Sequence, residues 1–376
     1  MRITRATVHR QWQPFVDGEY TCSGNRSASG FDSTIVRLDT DEGLTGWGEV
    51  APLGSFYDPA FAAGAREGVR LLAPLLIGRE PREVTSIHRL LDAHLNGHPY
   101  AKSAIDMACW DLAAQAAGLP LAEALGGRFG TTVALYRSVS QGTPEQMATL
   151  AAEHVGAGYR RIQVKVGLQP DDDVERFEAV HAALPPGTVV YADANAAWSA
   201  ADARRFLRAT RHLEYTLEQP CAQHEANLAV RAATDRPMVL DESIDSLAAL
   251  LRAHHAGLVD GITIKIARVG GITPARLIRD VAVDLGLEVT VEDTGGAEID
   301  TAAIAHLSMS TPESARTHTV DFHHWVSVGH GTADLPCEGG AMGAPRVPGL
   351  GVLVDVDVLG APVFVCDAVA GCGQRR

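Results

Sequence analysis

Three carboxylates stand at the ends of three apolar runs near the middle of the chain. Asp193 follows residues 188–191, Glu218 follows 215–217, and Asp241 follows 237–240. Successive acids lie about one β/α unit apart, so parallel strands carrying them would end on one rim of a barrel. Any one of them alone could be a helix cap or a solvated turn. Three in phase are expected to converge. Oxygen donors without His or Cys among them suit a hard cation, Mg²⁺ ahead of Zn²⁺. Two lysines share the phase. Lys165 closes Arg161–Lys165 one unit before Asp193, and Lys265 closes Gly261–Lys265 one unit after Asp241. An ammonium group at the end of an apolar strand projects into a low-dielectric mouth, which is costly without a use. Coming from the second and sixth strands, the two would face each other across the cation as acid/base groups.

The elements that must position these side chains follow from rhythm. From residue 133 the chain alternates strand and helix. Strands are expected at 133–139, at the five runs ending in Lys165, Asp193, Glu218, Asp241 and Lys265, at Glu288–Glu292, and at 317–322. Eight such units define an α/β fold, a (β/α)₈-type barrel whose functional groups lie at the C-terminal rim. Residues 1–125 lack that rhythm. Strand-like runs at 1–12, 34–38 and 44–49 precede helical patterns at 60–76, 100–117 and 121–127. This is an α+β capping unit. The barrel is expected over 126–346, and the tail, 347–376 with a strand-like run at 352–358, is expected to return to the capping sheet. Two polar loops at 13–30 and 51–59, the first holding Cys22-Ser23-Gly24 and the second Gly54-Ser55-Phe56-Tyr57-Asp58, are candidate lids. Trp12, Phe15, Tyr20, Phe56 and Tyr57 would give them an apolar wall.

With 376 residues, 46% hydrophobic and 21% charged, the chain can bury a large core. A net charge of −14 argues against nucleic acid, which needs a basic surface. A small anionic substrate is still admissible, because a buried divalent cation inverts the local field. No apolar run has the length of a signal core or a bilayer span, so a cytoplasmic protein is expected. The six cysteines lack zinc spacing and are expected as free thiols. Gly270-Gly271 resembles a phosphate nest without the fuller glycine pattern. His323 and His324 are adjacent imidazoles in a chain of fifteen histidines, where chance placement is common.

The order Lys165, Asp193-Ala194-Asn195, Glu218-Gln219-Pro220, Asp241-Glu242-Ser243 and Lys265 resembles the enolase superfamily, in its muconate-lactonising-enzyme-like subgroup. The resemblance implies Mg²⁺ on Asp193, Glu218 and Asp241. It implies a small carboxylate substrate on that metal, and lysines that move the α-proton through an enediolate. It also implies a modified barrel, a capping domain with two lid loops, and a homo-oligomer. One departure is Gln163, where the subgroup commonly has the first lysine of Lys-x-Lys. Dipeptide epimerases of the superfamily carry a second acid two residues beyond the position of Asp321, and here that position is His323. The segments 10–18 and 20–24 and the loop at 54–57 resemble the superfamily's cis-3-hydroxy-L-proline dehydratases. That implies loss of water from a cyclic imino acid to give Δ¹-pyrroline-2-carboxylate. Racemisation or epimerisation of proline derivatives or other amino acids is the alternative, and a non-catalytic binding barrel a remote one. Candidate substrate contacts are Ser23, Tyr57, Gln163, Asn195, Asp293, Thr294 and Asp321, the last for an ammonium group. A nearby cation and burial are expected to depress the lysine pKa values.

Overall fold

The computed structural model describes residues 1–23, 26–368 and 371–373. Gly24, in the first expected lid, therefore lies outside the described residues. The N-terminal strands are β1 (Ile3–Pro14), a short ribbon of β2 (Tyr20–Cys22) and β3 (Arg26–Ala28), β4 (Gly30–Thr40) and β5 (Thr45–Val50). Val8, Val36, Leu38 and Val50 pack with helices α1 (Ala62–Leu72), α2 (Val84–His94) and α3 (Pro99–Ala117). The fit between β5 and α3 depends on Gly48, where an added Cβ would stand 1.9 Å from the Ala104 carbonyl oxygen. The helical run expected to Leu76 ends at Leu72 and tightens into a 3₁₀ turn, Ala73–Leu75, at Pro74. Helix α2 was not expected from sequence. Its buried face is only Val84, Ile87 and Leu91, and packing rather than a wide apolar stripe stabilises it.

The next strands are β6 (Val133–Ala134), β7 (Tyr136–Val139), β8 (Arg161–Lys165), β9 (Val189–Asp193), β10 (Thr216–Glu218), β11 (Met238–Leu240), β12 (Gly261–Lys265) and β13 (Glu288–Glu292). From β7 to β13 they form one parallel sheet in chain order. Helices such as Pro170–Ala183 and Ile272–Asp284 cover its outer face. The run at 317–322 is not a full eighth strand. Residues 315–319 instead bridge both edges of the sheet: the Val289 amide donates to Ala315 O (2.7 Å) and the Tyr136 amide to Thr319 O (3.1 Å). A 3₁₀ turn, Phe322–His324, follows in place of a helix.

The chain then forms β14 (Gly331–Ala333), β15 (Cys337–Glu338), β16 (Ala341–Met342), β17 (Val352–Val354), β18 (Phe364–Asp367) and β19 (Gly371–Gly373). The tail does return to the capping sheet, but through β18, which pairs with β1. The expected run at 352–358 instead pairs with β14 and continues as the short helix Val356–Leu359. Cys366 and Cys372 stand opposite each other on β18 and β19 and are joined by a disulfide, so not all six thiols are free as expected. Register, not sequence spacing, brings them together. Cys22, Cys109, Cys221 and Cys337 are free. No helix among the described residues is long and apolar enough to cross a membrane.

The capping sheet and the half-barrel share a core that includes Phe31, Ile35, Trp47, Ile262 and Val291. Glu49, fully buried on β5, fastens the two. Its carboxylate accepts from Gln13 Nε2 (3.0 Å), Ser33 Oγ (2.7 Å) and the backbone amides of Ala297 and Asp300 (each 3.1 Å). Glu49→Ala leaves those buried donors unpaired. A loss of about 3 kcal/mol or more is expected in urea unfolding, on the order of 1–3 kcal/mol per orphaned group. A loss under about 1 kcal/mol would show that the junction does not depend on this carboxylate.

Candidate active site

Strand register sets the centre of the site. Asp193 lies opposite Lys165 on β8 and opposite Glu218 on β10. Asp193, Glu218, Asp241, Lys165 and Lys265 are all buried. Immediately beyond two of the acids the backbone enters left-handed conformations at non-glycine residues, Asn195 (φ 42°) and Gln219 (φ 33°). Such geometry costs on the order of 1 kcal/mol and collects at functional sites. Here it lets side chains fold back onto the rim. Asn195 donates from its amide (2.8 Å) and its Nδ2 (2.9 Å) to Asp193, while Gln219 Oε1 accepts from the Asp241 amide (2.9 Å).

Each carboxylate has its own partners. Lys165 Nζ lies 2.5 Å from Asp193 Oδ2. Glu218 accepts from Gln163 Nε2 (2.9 Å) and Thr263 Oγ1 (3.3 Å). Asp241 accepts from Arg268 Nη1 (2.5 Å) and the Tyr57 hydroxyl (2.8 Å), with Lys265 Nζ at 3.5 Å. Lys265 also lies 2.5 Å from Glu292, whose other oxygen accepts from Tyr136 (2.6 Å).

Burial pushes the Glu218 carboxyl far above its usual range, and Asp193 and Asp241 push it further. Burial and the same two acids raise Glu242 to about 8. Asp241 itself is lowered, because Arg268 and Lys265 outweigh burial. The expectation of depressed lysines does not hold for the chain's own charges. Burial acts downward on both, but Asp193 on Lys165, and Asp241 with Glu292 on Lys265, more than reverse it. Three buried carboxylates, one of them disfavoured as an anion by burial and by the other two, suit a divalent cation: oxygen donors, excess negative charge and little water.

The cavity is lined by Tyr20, Cys22, Phe31, Leu53, Tyr57, Tyr136, Gln163, Lys165, Asp193, Asp241, Lys265, Glu292, Asp293, Thr294, Phe322 and Trp325. Its free volume, about 40 Å³, holds little more than a water molecule, so ligand entry requires lid or side-chain movement. Of the candidate substrate contacts, Tyr57, Gln163, Asp293 and Thr294 line it. Ser23 and Asn195 lie behind it. Ser23 Oγ donates to the Asp193 carbonyl (3.2 Å), and Asn195 bridges Asp193 to Glu242. Asp321 is not in the lining. Its carboxylate accepts from Tyr159 (3.3 Å) and pairs with His324 (3.0 Å). The wall also differs from expectation. Tyr20 and Tyr57 belong to it, but Trp12 is 48% exposed, Phe15 packs edge-on to Phe31, and Phe56 lies under Arg26. Gly271 receives the Asp106 carboxylate, which accepts from the Thr273 amide (2.9 Å), so the glycine pair is not a phosphate nest. Sequence reasoning missed Arg268, Glu292 and Tyr136. Glu292 ends a strand directly before Asp293, and that phase was the available signal.

A half-barrel with acids and lysines on its rim, under an antiparallel cap, defines a class. The profile of the enolase C-terminal domain-like family matches residues 146–358, and that of the mandelate racemase/muconate lactonizing enzyme N-terminal domain matches 5–126. The chain belongs to the enolase superfamily, in its mandelate racemase/muconate lactonizing enzyme group, whose enzymes use a divalent metal. It is 42% identical over 363 residues to the cis-3-hydroxy-L-proline dehydratase of Roseibium aggregatum, covering 96% of this chain and 99% of that protein. It is 29% identical over 338 residues to the N-succinyl-L-Arg/Lys racemase of Bacillus cereus, covering 89% and 90%. A solved enolase-superfamily member from Roseovarius nubinhibens, complexed with magnesium, superposes with a TM-score of 0.91 at 41% identity, covering 97% of this chain and 99% of that one.

The raised carboxyls carry a stability consequence. A carboxyl with a raised folded pKa keeps its proton where the unfolded chain has released it. Its contribution is complete below the unfolded pKa and is lost as pH rises through the folded value. Glu242, raised to about 8, acts in this sense up to about pH 8, and the raised Glu218 acts in the same direction. Below pH 6.5 the buried imidazoles of His306 and His318, pushed down to about 3 by burial, act in the opposite sense. The chelated protein is therefore expected to lose Tm between about pH 6.5 and 8, and Mg²⁺ to reduce the loss. A chelated protein whose Tm rises across that window would contradict the charge arrangement.

Proposed function

We propose that the protein dehydrates cis-3-hydroxy-L-proline to Δ¹-pyrroline-2-carboxylate. The observation that carries this reading is the pair of buried lysines, Lys165 and Lys265, at the ends of β8 and β12, which line one small aromatic-walled cavity together with Asp193 and Asp241, with the buried Glu218 bonded to Gln163 of the lining. The 42% relative supports the choice of substrate. Mg²⁺ held by Asp193, Glu218 and Asp241 would supply a Lewis acid for charge developing on the substrate carboxylate. The remaining work falls to the chain. Once the three acids are offset by a cation, burial is left to act on the lysines and favours a neutral amine at one of them.

In the cis substrate the hydroxyl and carboxylate share a ring face, so the α-hydrogen lies on the other. One lysine takes that proton as the Cα–H bond breaks, and the electron pair moves toward the carboxylate, giving an enediolate. The Cβ–O bond then breaks, and the opposite lysine, as an ammonium, protonates the departing hydroxide to water. The enamine that remains takes up a proton at Cβ and gives up its N–H proton, becoming the cyclic imine. Two groups on opposite sides suit this anti elimination. Phe31, Phe322 and Trp325 keep bulk water from the carbanion-like centre.

The test is incubation in D₂O with Mg²⁺, followed by NMR. cis-3-Hydroxy-L-proline is expected to lose water. The trans isomer, with both leaving groups on one face, is expected to lose it at least about 10²-fold more slowly, because the acid is then misplaced. Proline is expected to show α-exchange at most. Rapid inversion of proline or its betaine, with no turnover of the 3-hydroxy compound, would establish the epimerase reading instead. Two lysines serving opposite faces would also suit that reaction, and the racemase relative at 29% belongs to the same group.

A further inference from the structure

We propose that His323, His324 and Cys337 form a second metal site, for Zn²⁺ or a similar transition metal, distinct from the oxygen site on the barrel rim. One ligand atom from each residue lies within 4.8 Å of the others. The histidines come from the 3₁₀ turn Phe322–His324 and the cysteine from β15, so the site exists only because the turn folds against the β15–β16 hairpin.

The surroundings are those of a ligand set. His324 Nδ1 lies 3.0 Å from Asp321 Oδ2, which fixes that nitrogen as the donor and turns Nε2 into the available ligand. A carboxylate behind a histidine is the usual outer partner in such sites. His323 Nδ1 is buried without a hydrogen-bond partner, as is the second Asp321 oxygen. Burial pushes the Cys337 thiol up to about 12, so metal binding must release its proton. Thiolate and Asp321 together offset a dication, against the nearby Arg137. One thiolate with two imidazoles selects Zn²⁺ or Co²⁺ over Mg²⁺, the reverse of the preference of the three carboxylates. His324 is 48% exposed, which gives an entry path and room for water as fourth ligand. The next residue, Trp325, lines the active cavity and meets Tyr20 of the lid ribbon edge-on at 5.4 Å. A bound metal would pin this turn beside the lid. The proposal stands whether or not the dehydratase reading does.

The test uses the full-length protein with excess Mg²⁺, titrated with Co²⁺ and read by absorbance. One equivalent is expected to give a thiolate-to-Co²⁺ charge-transfer band with tetrahedral d–d bands, and Zn²⁺ is expected to bleach both. Cys337→Ser and His323→Ala should lose the charge-transfer band or its tetrahedral pattern. Asp321→Asn should weaken binding about 10- to 100-fold. If Cys337→Ser fails to fold, His324→Ala, at the exposed ligand, gives the same reading. Absence of a thiolate band in the wild-type protein, or an unchanged band in Cys337→Ser, would overturn the site. The latter would place the thiolate at Cys22, Cys109 or Cys221.

Discussion

Lys165→Ala and Lys265→Ala are each expected to lower the rate of dehydration by about 10²- to 10⁴-fold, the usual contribution of a positioned acid or base. The two should differ in a second measurement. The variant that lacks the base should lose both α-deuterium exchange and dehydration. The variant that lacks the acid should still exchange the α-position, because the enediolate forms but the hydroxyl cannot leave. Single-turnover formation of pyrroline-2-carboxylate, alongside exchange followed by NMR, reads both. Each lysine also offsets a buried acid, Lys165 with Asp193 and Lys265 with Glu292. Mg²⁺ affinity should therefore be measured in parallel, to separate lost chemistry from altered metal binding. Either variant keeping more than about a tenth of the wild-type rate would remove that lysine from the proposed mechanism.

Glu218→Gln is expected to move two readouts in opposite directions. The amide weakens a cation site built on three carboxylates, and Mg²⁺-dependent turnover should fall by at least about 10²-fold. The same change removes the carboxyl that burial, Asp193 and Asp241 disfavour as an anion. The chelated variant should therefore be more stable than the chelated parent at pH 8, read as a higher Tm. A variant that was merely misfolded would lose activity and stability together. Full activity after exhaustive chelation and return of Mg²⁺ would show that Glu218 is not a metal ligand. Both results bear on the same feature, a cluster of like charges that costs stability and prepares the site for a cation.

Much of this site was legible in the sequence. Asp193, Glu218, Asp241, Lys165 and Lys265 each close a short apolar run, and a parallel sheet turns equal strand-end phase into spatial adjacency. Strand direction is a local property, so five residues spread over about a hundred positions could be placed together. The cap was legible for a similar reason, since alternating β-strand patterns gave way to helical spacing before the barrel rhythm began.

Other groups at the site depend on contacts that no local pattern encodes. Arg268 reaches Asp241 from the turn after β12, and Glu292 reaches both Lys265 and Tyr136 across the sheet. The pull of the chain's own carboxylates on the lysines, upward against burial, could not be read from sequence, because it depends on which acids stand within a few ångströms, and those are fixed by tertiary register. The barrel closes through a few backbone bonds at 315–319 rather than a paired strand, and Asp321 turns away from the cavity toward His324. Cys337 has no sequence relation to His323 and His324 until the hairpin folds onto their turn. By itself, then, the sequence determined the class of chemistry, because strand ends and residue types are short-range information. Only the tertiary structure decided the charge balance, the cavity wall and the second ligand cluster, because each is a sum of close contacts between segments far apart in the chain.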